Sequence, residues 1–208
     1  MGILRLDRKE HWETAHSTRG ARELSWYQQN PALSLAMISR ANITADTPLI
    51  DVGGGASLLV DFLIEEGYRD LTVLDVSGVA LRKARRRLGE RASYVEWIEQ
   101  DIITFEAPRK YGLWHDRALF HFLTLKEERR KYMQVLRKAL QGGGQAIVSS
   151  FAVGGPERCS GLDIVQYDAV KLGRELGSGF TLLEQKEVLH LTPANKEQLF
   201  AYYRFIRD

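Results

Sequence analysis

An apolar run that ends in an acid and opens into three glycines constrains this chain more than any other feature: Leu49-Ile50-Asp51-Val52-Gly53-Gly54-Gly55-Ala56-Ser57. A second apolar run, Val73-Leu74-Asp75-Val76, ends in another acid about 20 residues after the glycines. Strand, glycine turn, helix and second strand with a terminal acid form the pattern of a nucleotide-type cofactor site at the edge of a parallel sheet. Glycine lets the backbone turn sharply and approach a ligand with no Cβ in the way. Asp75 falls at the tip of the second strand, where one carboxylate can accept from both hydroxyls of a ribose. Two other glycine loops are excluded. The dinucleotide spacing G-x-G-x-x-G puts its third glycine at Leu58, and no Lys-Ser/Thr pair follows to make a phosphate loop.

The elements alternate in the manner of a doubly wound α/β sheet. Helical spacing runs from Pro31 to Ala41, and Leu49 to Val52 reads as strand one. A helix from Ser57 to Glu66 is closed by Gly67, and Leu71 to Asp75 is strand two. Ser77 is the expected N-cap of a helix that runs to Leu88 and stops at Gly89. Strand three is expected over Ala92 to Ile98 and strand four over Gly112 to Asp116. An amphipathic helix from Lys126 to Leu140 should end at Gly142-Gly143-Gly144, before strand five at Gln145 to Phe151. A loop from Ala152 to Gly161 and a helix from Asp168 to Leu176 lead to two strands, Phe180 to Leu191 and Gln198 to Ile206, with no helix between them. That ending is an antiparallel hairpin.

No linker or repeat interrupts the 208 residues, so a single domain is expected, with 1–44 as N-terminal helices and 45–208 as sheet and helices. A formal charge of +2 does not imply a nucleic-acid partner, and Arg82-Lys83-Ala84-Arg85-Arg86-Arg87 reads as the solvated face of a helix. The lone Cys159 excludes an intrachain disulfide and a cysteine-rich metal site, and fits a reducing compartment. Residues 1–10 carry no signal-peptide apolar region and no run reaches transmembrane length, so a cytoplasmic protein, monomeric or weakly dimeric, is expected.

The spacing acid-x-Gly-x-Gly-x-small, met by Asp51, Gly53, Gly55 and Ser57, resembles the first motif of class I S-adenosylmethionine-dependent methyltransferases. Ser57 stands where that family usually has glycine. Gln100-Asp101-Ile102 and Leu140-Gln141-Gly142-Gly143-Gly144 resemble two further motifs of the family. The resemblance implies a seven-stranded Rossmann-like sheet, mostly parallel, with helices on both faces and a last strand inserted antiparallel. It implies S-adenosylmethionine as cofactor. Asp51, Gly53 and Gly55 would serve its methionine end and Asp75 its ribose. Asp101 would hydrogen-bond the adenine and Ile102 cover the ring, with Val76 and Trp26 as further cofactor contacts. His11-Trp12-Glu13, Ser25-Trp26-Tyr27-Gln28, Phe120-His121-Phe122-Leu123-Thr124 and Thr192-Pro193 resemble a small bacterial group related to the lysine methyltransferases of citrate synthase and elongation factor 1A. Relatives in such a group methylate different acceptors, so the acceptor does not follow.

Methyl transfer from a sulfonium is an in-line displacement, and the protein mainly has to align the reactants and exclude water. It needs no metal. A protonated amine or an alcohol does need a base. The candidates are Asp116, His115 and His121. His115 and Asp116 are adjacent on a strand and must point to opposite faces. Asp116 reads equally well as a cap for the segment after it, and His121 as a histidine at the edge of the core. Tyr27, Phe120, Tyr167 and Tyr203 are candidate acceptor walls. His190 reads as a surface histidine at a strand end. The N-terminal Trp26-Tyr27 segment and the loop after strand five, with Cys159, are expected to form a lid. A small-molecule acceptor is the leading expectation, a protein lysine the second, and a binder without turnover the third.

Overall fold

β1 (Leu49–Val52) and β2 (Leu71–Asp75) are buried at every position, so both faces of their sheet need cover, as in parallel α/β folds. The computed structural model describes residues 7–208; part of the segment read for a signal peptide, residues 1–6, lies outside the described residues. α1 (Arg8–Thr18) and α2 (Ala32–Arg40) precede β1. Then α3 (Leu59–Glu65), β2, α4 (Gly78–Leu88), β3 (Val95–Glu99), β4 (Tyr111–Arg117), α5 (Lys126–Ala139) and β5 (Leu140–Phe151) follow. Two short strands, β6 (Arg158–Cys159) and β7 (Leu162–Asp163), form a separate ribbon. α6 (Ala169–Leu176), β8 (Phe180–Leu191) and β9 (Glu197–Arg207) complete the chain.

The main sheet has seven strands in the order β3-β2-β1-β4-β5-β9-β8. The first five are mutually parallel, and β9 runs antiparallel to both its neighbours. One face packs Met37, Ile38, Leu63 and Leu81 from α2, α3 and α4. The other packs Tyr132, Leu136 and Leu172 from α5 and α6. After β1 the chain winds outward to β3, then returns to lay β4 on the other side of β1. Such a switch point opens a crevice at the carboxyl ends of the two central strands, where open α/β sheets bind ligands.

Local chemistry sets the helix starts. Ser77 Oγ accepts from Ala80 N at 3.1 Å and the Asp168 carboxylate from Lys171 N at 2.7 Å, capping α4 and α6. Three boundaries differ from the sequence reading. The segment expected to start strand three at Ala92 is a 3-10 turn over Gly89–Tyr94, and Trp97 Nε1 donates to Ala92 O at 2.9 Å to hold it. Gly142-Gly143-Gly144 lie inside β5, where the pairing with β4 slips between Tyr111 and Leu113. Gly143, at φ +72°, takes the backbone state that lets a strand absorb such an irregularity. The helix after β1 starts at Leu59, two residues late, because Ser57 Oγ takes the Leu59 amide at 3.1 Å. Among the described residues no helix is long and apolar enough to cross a membrane.

Candidate active site

The glycine loop is shaped by close approach. Gly53 N donates to Leu74 O at 2.7 Å, tying the loop to β2. Gly53 and Gly55 have φ of +70° and +48°. A Cβ on Gly55 would stand 2.8 Å from Asp75 Oδ2, and one on Gly53 2.7 Å from Leu119. Both glycines are therefore required by conformation and by space. Two adjoining cavities open here. Asp75, Val76, Asp101, Ile102 and Phe122 line the first. Asp51, the glycines, Ser34, Tyr27 and His115 line the second. His16, Trp26, Gly53, Asp75 and Arg117 line both.

The cradle fits S-adenosylmethionine. Asp75 is nearly buried at the junction, with Oδ1 accepting from Ser77 N at 2.8 Å. Burial pushes its carboxyl up to about 7, and the nearby Asp51 and Glu13 charges add to the effect. A buried carboxylate with no cation partner among the described residues, facing a cavity, is poised for neutral donors such as ribose hydroxyls. α1 roofs the first cavity. Glu13 accepts from Gly78 N at 2.9 Å and Val79 N at 3.1 Å, so one helix caps another. Arg8 bridges Asp101, at 3.4 Å, and Glu128. The Trp12 ring meets Trp26 edge-on at 5.5 Å and Phe122 at 4.9 Å. His16 has an unpartnered Nδ1, and burial pulls its pKa down to about 4.

The candidate bases separate. His115 faces the second cavity, with Nδ1 2.7 Å from Asp51 Oδ1 and Nε2 2.9 Å from Ser34 Oγ. Asp116 points to the opposite face and lines neither cavity. Its carboxylate accepts from Tyr132 Oη at 2.6 Å, Leu119 N at 2.9 Å and Phe120 N at 3.3 Å, and burial pushes its pKa up to about 6. It is a buried cap, the second of the two sequence readings. His121 is fully buried against Phe122 and Phe151. Burial, with Arg117 nearby, pulls its pKa down to about 3, so it stands neutral in the core.

Three of the four expected acceptor walls also stand elsewhere. Phe120 packs between Tyr132 and Tyr167 at ring distances of 4.7 and 5.2 Å. Tyr203 Oη donates to Tyr167 O at 2.9 Å. All three are buried beneath the sheet's second face and line neither cavity. Tyr27 does line the second cavity. His190 is buried rather than exposed, held by Ser25 O at 2.8 Å. Cys159 lines the first cavity, and burial pushes its thiol up to about 11.

Sequence reasoning placed Arg117 at the strand-four end, among the positions where the resembled family has catalytic or substrate-facing residues, without giving it a role, and it missed Ser34 and the roof residues Arg8, Trp12 and His16 as site residues. The roof had a signal: its members recur every four residues, on one side of a helix. At the end of β4, Ala118 takes φ +69°, a strained state for a residue with a Cβ.

Comparison with known proteins gives a consistent picture. Residues 49–144 match the family model described as a methyltransferase domain. The eEF1A lysine and N-terminal methyltransferase of Mus musculus is 25% identical over 150 residues, which are 69% of this chain and 21% of that protein. This chain thus spans about a fifth of the length of the curated relatives it matches. A structure concerning conversion of a disulfide bond into a thioacetal group during echinomycin biosynthesis superposes with a TM-score of 0.76 at 19% identity, covering 96% of this chain and 91% of that one. The N-methyltransferase NodS from Bradyrhizobium japonicum, in complex with S-adenosyl-L-homocysteine, superposes with a TM-score of 0.70 at 18% identity, covering 94% and 97%. Sheet order and glycine cradle agree with the methyltransferase-domain model that residues 49–144 match, on a fold shared with S-adenosyl-L-homocysteine-bound NodS.

Proposed function

We propose that the chain transfers a methyl group from S-adenosylmethionine to a nitrogen, oxygen or sulfur nucleophile of a small molecule. One observation carries this reading: the second cavity is walled by Leu24, Tyr27, Pro31, Ser34, His115 and Arg117 of the chain itself, and shares Trp26 and His16 with the roofed first cavity. An acceptor seated in a cavity walled this way is small. NodS, an N-methyltransferase of similar fold, supports the same class.

The bound cofactor supplies a methyl group on a cationic sulfur that leaves as a neutral thioether. Asp75 would accept from the ribose hydroxyls, while Asp101 and Ile102 would take the adenine. The loop from Asp51 to Gly55 would lie along the methionine arm. His115 is the base we favour, because Asp51 holds Nδ1 and so leaves Nε2 to receive a proton. Ser34 Oγ can pass the acceptor's proton inward as its own moves the 2.9 Å to Nε2. The lid reading is kept in altered form, with α1 as the main roof and residues 26–27 as its edge. With one cysteine and that cysteine free, the protein suits the reducing cytoplasm.

A protein lysine is the second reading, favoured by the similarity to eEF1A lysine and N-terminal methyltransferase. Incubation of the purified protein with methyl-labelled S-adenosylmethionine and cell extract separates the readings. Label in the low-mass fraction is expected. Label on a protein band replaces the small molecule with the lysine, and label in neither, with cofactor bound, leaves a binder without turnover.

A further inference from the structure

We infer that the acceptor carries an anionic group, a carboxylate or a group of like charge and geometry, and that Arg117 is its receptor. The inference rests on the methyltransferase reading and names the substrate class of the same site.

Arg117 closes β4 and is half-buried where the two cavities meet. Nε donates to Tyr202 Oη at 2.8 Å and Nη1 to Trp26 O at 2.9 Å. The guanidinium lies 4.6 Å over the Phe200 ring. Nη2 is buried and has no partner. Among the described residues no carboxylate stands within ion-pairing distance of it. Of the two arginines that line the cavities, Arg8 is taken by Asp101 and Glu128. The Arg117 charge is felt locally, since it helps hold His121 and His190 below their ordinary range.

Burying an unpaired charge is costly unless something compensates it. Here neutral acceptors hold Nε and Nη1 and leave Nη2 without a partner, on a residue that lines both cavities. A guanidinium with free N–H groups is the donor that grips a carboxylate.

Two carboxylates can reach the cleft, the cofactor's own and one on the acceptor. The braces decide between them. Tyr202 lies on β9 and pairs with Ser149 of β5, which itself pairs with Arg117. The Nε brace thus ties the guanidinium to the β5–β9 side of the sheet, opposite β1, and this favours the acceptor's carboxylate, although Arg117 shares the second cavity with the glycine loop.

The test has two arms. In the first, the low-mass extract pool is split on a strong anion exchanger at pH 7, and each part is offered to the protein with labelled cofactor. The inference expects methyl acceptance in the retained part, and a rise in KM for that part of at least tenfold in Arg117→Met, smaller in Arg117→Lys, which keeps the charge and loses the fork. Acceptance confined to the flow-through overturns the anionic acceptor while leaving the methyltransferase reading intact. In the second arm, binding of S-adenosylmethionine and of its decarboxylated form is measured by calorimetry on wild type and Arg117→Met, with thermal unfolding as the folding control. Unchanged affinity for both supports the inference. A tenfold loss for S-adenosylmethionine alone assigns Arg117 to the cofactor and overturns it. If no part of the pool is methylated, small carboxylates and their amides are titrated as pairs onto protein saturated with S-adenosylhomocysteine. Preference for the carboxylate, lost in Arg117→Met, upholds the inference, and equal binding ends it.

Discussion

The two halves of the cleft are built on different principles. On the β1–β3 side, each expected cofactor residue sits at or just past the carboxyl end of a strand: Asp51, Asp75 and Asp101. Each is placed by its own few neighbours, and the parallel register brings the three into line. On the β4–β5 side the site is assembled from afar. Arg117 is held by Trp26, 91 residues away, and by Tyr202, 85 away, while His115 meets Ser34 across 81. The first half follows from local rules and the second from the packing of distant segments. Substitutions should therefore act differently on the two sides.

The largest effect belongs to Asp116. Asp116→Ala strands the Tyr132 hydroxyl and the Leu119 and Phe120 amides in the core. Each unsatisfied buried group costs about 1–3 kcal/mol. We expect a loss on the order of 3 kcal/mol or more, read as a lowered denaturation midpoint. A variant that keeps its stability but loses only turnover would restore Asp116 to the reacting centre and erase the contrast between the halves.

Asp75 comes next, and its effect changes sign with the ligand. Asp75→Asn should weaken S-adenosylmethionine binding by about 1.5–3 kcal/mol, roughly 10- to 150-fold, through loss of charged hydrogen bonds. Wild-type affinity should fall as pH drops below about 7, where the carboxyl takes up its proton. The same raised pKa sets the stability of the ligand-free protein. Between about pH 4 and 7 the folded state holds a proton that the unfolded chain has released, so stability declines as pH rises through that window. Asp75→Asn should abolish the decline and raise the ligand-free Tm at pH 8, by roughly 2–4 °C per kcal/mol of strain relieved. Calorimetry and thermal unfolding across pH 5–9 test both signs. A variant destabilised at pH 8 would show that Asp75 serves the fold more than the cofactor.

The same contrast explains what could be read from sequence. Strand two was legible to the residue, and the Ser77 cap with it, because an apolar run and a hydroxyl before a helix are local signals. The order of the sheet followed from alternation and the missing final helix. The acceptor side resisted. Phe120, Tyr167 and Tyr203 have the composition of pocket walls, but which face of β4 they approach depends on α5 and α6 packing beneath them. Asp116 and His115 are neighbours in sequence with opposite fates, one turned to Tyr132 and the other to Ser34. Only the sheet's two-sided cover decides which faces the cleft. The triple glycine misled because glycine ends a helix and loosens a strand by the same freedom.

The roof should yield a smaller effect. Glu13→Ala removes the cap that α1 places on α4, at a cost of about 0.5–2 kcal/mol. Because Asp75 and Asp101 stand beneath α1, faster S-adenosylmethionine dissociation should accompany the lowered Tm. Unchanged dissociation by stopped flow would mean that α1 stays seated through its other anchors, Arg8, Lys9, Trp12 and the Lys83 contact to His16 O.

The smallest effect separates strain from placement at Ala118. Its left-handed φ costs a residue with a Cβ about 1–2 kcal/mol, so Ala118→Gly should stabilise the protein by up to about 1 kcal/mol. The same change frees the backbone beside Arg117, whose guanidinium must keep its hold on Tyr202 and Trp26 to meet an acceptor. Tm should rise slightly while KM for the acceptor rises two- to threefold and affinity for S-adenosylmethionine holds. That split would put the stored strain in the acceptor half. A matching loss of cofactor affinity would instead make the end of β4 common to both halves, and the division between them would move to β5.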